Sequence, residues 1–245
     1  MKHEIIGQTV PAVEVELDKG EAMFTQSGAM AWMDPSIKGE SKMEGGFLKG
    51  IGRKFAGESL FMVTYSSDKD GAKIAFASTV PGTILPLQFQ GTGGMICQKK
   101  AFLCAQRSVS LETIFTKKLS AGAFGGEGFI LQRLSGDGMA FLEVDGDAVT
   151  KELAPGETIL VDTGNVVAFE DGISYEIERI KGVKNIFFGG EGLFLTKLTG
   201  PGKIILQTQN FNDFAGRTVE LGKLEEKCRK LGLPKWKTVI ECIYK

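Results

Sequence analysis

Phe124-Gly125-Gly126-Glu127-Gly128-Phe129-Ile130 and Phe188-Gly189-Gly190-Glu191-Gly192-Leu193-Phe194 are two copies of one motif, and Phe55-Ala56-Gly57-Glu58-Ser59-Leu60-Phe61 is a third. They recur about 65 residues apart, a longer period than the ~20–50 residues of stacked solenoid repeats. The likeness continues downstream. Leu131-Gln132-Arg133-Leu134-Ser135-Gly136-Asp137-Gly138 aligns with Leu195-Thr196-Lys197-Leu198-Thr199-Gly200-Pro201-Gly202, and each leads into a second apolar run, 139–142 or 203–206. In the first copy, 60–65 and 73–77 play these parts around a longer polar turn. A strand, a glycine-rich turn and a second strand make a hairpin signature, so each motif is expected to open a β-hairpin.

A second element precedes each motif. The alternating Val13-Glu14-Val15-Glu16-Leu17, the run 85–89 and the run 149–153 each lead to a glycine and then to another apolar stretch, and the apolar runs 29–33, 101–105 and 165–169 follow. Each unit therefore holds four or more strands. The expectation is an all-β fold of three tandem β-sandwich-like modules, 1–82, 83–148 and 149–211, packed about a pseudo-threefold axis. The segment 212–245 breaks the pattern. From Arg217 onward it carries eight basic and four acidic residues, and Leu221, Leu224, Cys228 and Leu231 recur at helical spacing before Gly232 and Pro234. This predicts a short amphipathic helix over 218–231 that caps the last module.

Composition agrees with many short strands. The 245 residues include 33 glycines and 7 prolines, where average glycine usage is about 7%. Glycine supplies the positive φ of turns and bulges. The formal net charge of −1 argues against a generally basic nucleic-acid binder. No stretch reaches the ~18 apolar residues of a membrane helix, and the start MKHEIIGQTV lacks the apolar core of a signal peptide. A soluble cytoplasmic protein is expected. Cys97, Cys104, Cys228 and Cys242 are too few for a disulfide scaffold and form no C-x-x-C, so they are expected to be reduced thiols.

The chemistry is narrowed by histidine. His3 is the only one. Nucleophile systems that rely on imidazole, and zinc or iron sites built from two or more histidines, cannot be assembled in one such chain. No G-x-x-x-x-G-K-[ST] phosphate loop occurs. Neither a cofactor nor a metal site is expected, and no catalytic residue is assigned. Two groups remain as candidates. The repeat-equivalent carboxylates Glu58, Glu127 and Glu191 could converge on the axis, where like charges raise a pKa or hold a cation. The segment 33–54 is longer than its counterparts in the other modules, and sets Lys49, Arg53 and Lys54 beside Phe47, Leu48 and Ile51. That combination suits a partner protein, a phosphate or an anionic membrane surface.

The segment 45–61, the Ser27-Gly28-Ala29-Met30 stretch before it and the two later Gly-Gly-Glu-Gly motifs resemble the altered-inheritance-of-mitochondria family, over about residues 1 to 216. The resemblance implies a triplicated β-sandwich module like that of the trp RNA-binding attenuation protein. It supplies no reaction and no ligand residues, and its mitochondrial member is linked to inner-membrane organisation. The charged tail departs from the glycine-rich ends of other members. The leading expectation is a non-enzymatic assembly or scaffold protein that self-associates through strand edges or the 33–54 loop, acting near membranes or with a protein partner. The alternatives are a small-molecule or nucleic-acid binding module, which the fold analogy suggests and the net charge disfavours, and a hydrolase using Glu58, Glu127 and Glu191.

Overall fold

The computed structural model describes residues 1–26, 28–43, 61–117, 129–179, 194–211, 213–216 and 218. Seventeen strands fill them, all antiparallel where they pair. The first set is β1 (Lys2–Ile6), β2 (Ala12–Leu17), β3 (Ala22–Gln26), β4 (Met30–Met33), β5 (Ile37–Met43), β6 (Phe61–Ser67) and β7 (Ala72–Ala77). The second set has two long strands, β8 (Gly82–Gln98) and β11 (Phe129–Asp145), around β9 (Phe102–Gln106) and β10 (Val109–Lys117). The third is β12 (Ala148–Leu153), β13 (Thr158–Asp162), β14 (Val166–Glu170), β15 (Ser174–Arg179), β16 (Phe194–Thr199) and β17 (Gly202–Gln207).

One pairing scheme recurs in all three sets. β7 lies between β2 and β4, as β17 lies between β12 and β14. β6 lies between β3 and β5, as β16 lies between β13 and β15. In the second set the two long strands do both jobs at once: the far half of β11 pairs the near half of β8 and β9, while the near half of β11 pairs the far half of β8 and β10. A bulge interrupts the register at one equivalent place in each set, between Met30 and Trp32, Phe102 and Cys104, and Val166 and Ala168.

The expected hairpins are not hairpins. β6 does not pair with β7, nor β16 with β17, and the corresponding stretch of the second set is the single strand β11. The glycines redirect the chain from one sheet to the next instead of reversing it. Gly71, Gly136, Gly138 and Gly202 all have positive φ, at 70°, 105°, 137° and 140°. At Gly136 a Cβ would stand 2.7 Å from the Ser108 carbonyl oxygen, so the crossing admits no side chain there. The same device joins β2 to β3 at Gly20 and β12 to β13 at Gly156, and bends β8 at Gly91 and Gly93.

Between sets, sheet pairing is again repeated. β9 of the second set pairs β3 of the first, and β14 of the third pairs β8 of the second. The result is a ten-stranded sheet flanked by a four-stranded sheet ending in β4 and a three-stranded sheet ending in β13. Among the described residues no pairing joins the third set back to the first.

Three apolar clusters fill the interior. One packs the first set on Ile84, Leu103, Cys104 and Phe141 of the second. Another centres on the second set and reaches Met62 and Val167. The last joins Ile96, Phe129 and Leu131 to the third set. Successive residues of β9 and β11 enter different clusters: Ala140 and Leu142 face one, Phe141 the other. These strands are covered on both faces, which is why they read as continuous apolar runs.

Helical residues also stand ahead of the segment whose apolar spacing predicts the tail helix. Helical residues start at 211 and include 213–216 and 218. The Phe214 N–H donates to the Asn210 carbonyl at 3.1 Å and the Phe211 N–H to Asp145 Oδ2 at 2.8 Å. A carboxylate on β11 thus receives the first turn, a contact that periodicity within the tail does not contain. The remainder of 218–231, with Cys228, and Cys242 beyond it lie outside the described residues.

Candidate functional site

Phe47, Lys49, Arg53 and Lys54, and the carboxylates Glu58, Glu127 and Glu191, lie outside the described residues, so the chemistry read from them is carried by sequence alone. Within the described residues, no group of three or more His, Cys, Asp or Glu side chains is arranged to hold a metal ion. Cys97 and Cys104 are buried free thiols. Burial pushes Cys97 up to about 12 and raises Cys104 well above its ordinary value, so neither is poised as a thiolate nucleophile. A shallow hollow of about 330 Å³ is lined by Asp34, Pro35, Ser36, Lys69, Asp70, Gly71 and Ala72. Its carboxylates are engaged with backbone: Asp34 Oδ2 accepts from the Lys73 N–H and Asp70 Oδ1 from the Lys19 N–H, both at 2.8 Å.

Glu143 on β11 is the buried carboxylate with the most built surroundings. Its Oε2 accepts from Ser78 Oγ at 3.0 Å, the Thr79 N–H at 2.8 Å and Thr79 Oγ1 at 3.0 Å. Burial raises its pKa, the Ser78 and Thr79 donors oppose this, and nearby Asp145 adds a smaller upward push. Three donors on one oxygen describe an anchor for the connection between β7 and β8, not a free acid or base. Below the unfolded value of 4.5 the group is protonated in both states. As pH rises the unfolded chain ionises first, and the stability tied to the protonated form is lost up to the folded pKa. Glu143→Gln keeps an accepting oxygen and removes this titration. Urea unfolding of both proteins is therefore expected to shift in favour of the glutamine variant between acid pH and neutrality; a pH-independent difference would contradict the assignment.

The joints between sets are built from named polar contacts as well as sheet pairing. Gln26, ending β3, donates Nε2 to the Lys99 carbonyl at 3.3 Å; Gln98, ending β8, donates to the Thr163 carbonyl at 2.8 Å. Lys99 and Thr163 each open a 3₁₀ turn, Lys99–Ala101 or Thr163–Asn165, just before the strand that makes the joint. Arg133 grips Asp171 through Nε at 3.0 and 3.1 Å and Nη2 at 2.6 Å across the second joint. Inside each set another contact recurs: Asp34, Gln106 and Glu170 each accept, at 2.8 Å, from the N–H of Lys73, Met139 and Lys203 respectively. The three acceptors differ in type, so sequence comparison of the repeats does not reveal them.

Among the described residues, two strand edges carry no partner of this kind. The outer edge of β4 and the outer edge of β13 end their sheets. Exposed on them are Trp32, Met33 and Leu160. All three read as core residues in the sequence, since they sit in apolar runs aligned with buried ones; only the tertiary arrangement exposes them.

This fold and these joints define an all-β protein built by repeated sheet pairing of one six-strand arrangement. The family model described as mitochondrial biogenesis AIM24 matches residues 3–209, and the chain belongs to that family. An uncharacterised protein of Streptococcus pyogenes serotype M6 is 30% identical over 214 residues, covering 84% of each chain. A crystal structure of a Streptococcus pyogenes protein superposes with a TM-score of 0.71 at 24% identity, covering 90% of this chain and 99% of that one. That likeness speaks for the fold. No helix among the described residues is long and apolar enough to cross a membrane.

Proposed function

We propose that the chain is a non-enzymatic assembly protein whose working parts are its open sheet edges. The observation that carries this is that two of the sheet-ending strands, β4 and β13, have no pairing partner on their outer edges among the described residues and bear exposed Trp32, Met33 and Leu160. Exposed strand edges are templates for further pairing unless a protein blocks them. The engaged state of Glu143, Asp34 and Asp70 and the inert thiols support the same reading, as does a family description that speaks of biogenesis and names no reaction. The two buried free thiols are in keeping with a reducing, cytoplasmic setting. Light scattering on the full chain over a concentration series tests the reading. Species larger than the 26.4 kDa of one chain, or a retained protein partner, are expected; a 26.4 kDa species throughout, with nothing bound, would remove it.

A further inference from the structure

We infer that the edge of β2 is an acceptor site for an extended, basic strand of a partner protein, and that β1 is a resident strand weak enough to yield it. The site lies at the opposite end of the four-stranded sheet from β4. It goes beyond the assembly reading and does not depend on the open edges at β4 and β13.

β1 is exposed at all five residues, and no other strand among the described residues is exposed throughout. It gives the first set a strand that the third lacks, since β12, the counterpart of β2, ends its sheet. The register shows how poorly its side chains match β2. Lys2, Glu4 and Ile6 stand opposite Glu16, Glu14 and Ala12 on one face, and His3 and Ile5 stand opposite Val15 and Val13 on the other. Lys2 Nζ meets Glu16 Oε1 at 3.0 Å, but its side chain is 82% exposed, and such a surface pair contributes little. Glu4 faces Glu14 directly, and like charges in opposed positions destabilise a strand pair. Glu14 is held in place and ionised. Its Oε1 accepts from Lys73 Nζ at 2.8 Å and its Oε2 from Trp32 Nε1 at 3.1 Å, and these two donors keep its carboxyl below the ordinary range. Lys73 forms its ion pair with Glu14, so Glu4 receives only the weaker, more distant attraction of that lysine. His3 sets a polar ring opposite the fully buried Val15.

The chain can give up β1 without loosening β2. Gly7 has φ 88°, and just beyond it the Thr9 and Pro11 carbonyls accept from the N–H groups of Gly82 and Ser78, both at 2.8 Å. The connection is thus pinned to the body of the fold, and the glycine hinge stands on the β1 side of the pins. In strand addition, backbone pairing supplies affinity and side chains select the occupant. β2 therefore selects a strand with Lys or Arg in the places of Lys2 and Glu4, facing Glu16 and Glu14, and with apolar residues in the places of His3 and Ile5. β1 meets only part of this pattern, and it holds the edge because it is tethered, which gives it a high effective concentration.

The probe is a labelled, acetylated peptide of residues 1–7 carrying Glu4→Lys, and the readout is its fluorescence anisotropy on the full chain and on variants at exposed β1 sites. Lys2→Glu in the chain opposes Glu16 and weakens β1, so the peptide is expected to bind it about two- to fivefold more tightly than the wild type. Glu4→Lys in the chain strengthens β1 and is expected to weaken peptide binding by about the same factor. The peptide that keeps Glu4 should bind less well, and Glu14→Gln in the chain should abolish that preference. The inference is overturned by no binding to the Lys2→Glu chain, by equal binding to all chains, or by a preference that survives Glu14→Gln. Lys2→Glu chains that exchange β1 with one another, forming dimers closed to the peptide, would make a second copy the occupant and overturn it as well. The light-scattering result on the wild type is separate, so either reading can fail while the other stands.

Discussion

Phe141→Ala is expected to be among the most damaging single substitutions in this protein, costing about 3–5 kcal/mol and lowering the melting temperature by roughly 6–20 °C for a chain of this size. Phe141 is fully buried on β11 and contributes to the cluster that unites the first and second sets. Its ring also meets His3 of β1 edge-on, with centroids 5.1 Å apart. Its strand neighbours Ala140 and Leu142 point into the other cluster, so both faces of β11 are enclosed and the cavity left by truncation has little room to collapse. Ile114→Ala, at an exposed site on β10, is the control and should change stability by about 0.5 kcal/mol or less. Chemical unfolding measures both. A loss of under about 1 kcal/mol for Phe141→Ala would mean that β11 is not enclosed on both faces.

Gly136→Ala is expected to cost about 2–5 kcal/mol, since it combines backbone strain with overpacking. Gly136 has φ 105° and sits in register with Val109 of β10, and a Cβ there would lie 2.7 Å from the Ser108 carbonyl oxygen. Backbone cannot move aside as a flexible side chain does. Gly156 separates the two contributions: its φ is 79°, but a Cβ there meets nothing within 4 Å, so Gly156→Ala should show the conformational cost alone, about 1–2 kcal/mol. Equal losses at the two sites would show that steric closure at the crossing contributes nothing, and that the long strand β11 can pass between sheets with a side chain in place.

These two residues also show how far local pattern reaches. The apolar run around Phe141 identifies a strand, and its lack of alternation is consistent with burial on both faces, but nothing in it says which neighbours cover which face. Gly136-Asp137-Gly138 identifies a change of direction. Short-range preference cannot tell a reversal from a crossing, because both use glycine at positive φ, and the choice is made by the partners on either side: Val109 and Ser110 of β10 for one half, Phe89 and Gln90 of β8 for the other. The helical residues from 211 escape local periodicity for a related reason, since Asp145, far away in sequence, receives their first turn. The candidate residues are a different case. Phe47, Lys49, Arg53, Lys54, Glu58, Glu127 and Glu191 stand out by repetition and by charge beside apolar groups, signals that mark segments without placing them.

What the sequence determined by itself is the β class, the membership carried by its spaced glycine motifs, and the poverty of imidazole chemistry that follows from a lone His3; each is a matter of residue type and local spacing. What only the tertiary structure decided is which apolar residues are core and which are edge. Trp32, Met33 and Leu160 are as hydrophobic as their buried equivalents, and they are exposed because the sheet pairing that covers Cys104, Ala105 and Ile96 is made twice among the described residues and not a third time. Burial belongs to the partner strand, and a partner strand is fixed by long-range pairing that no local segment encodes.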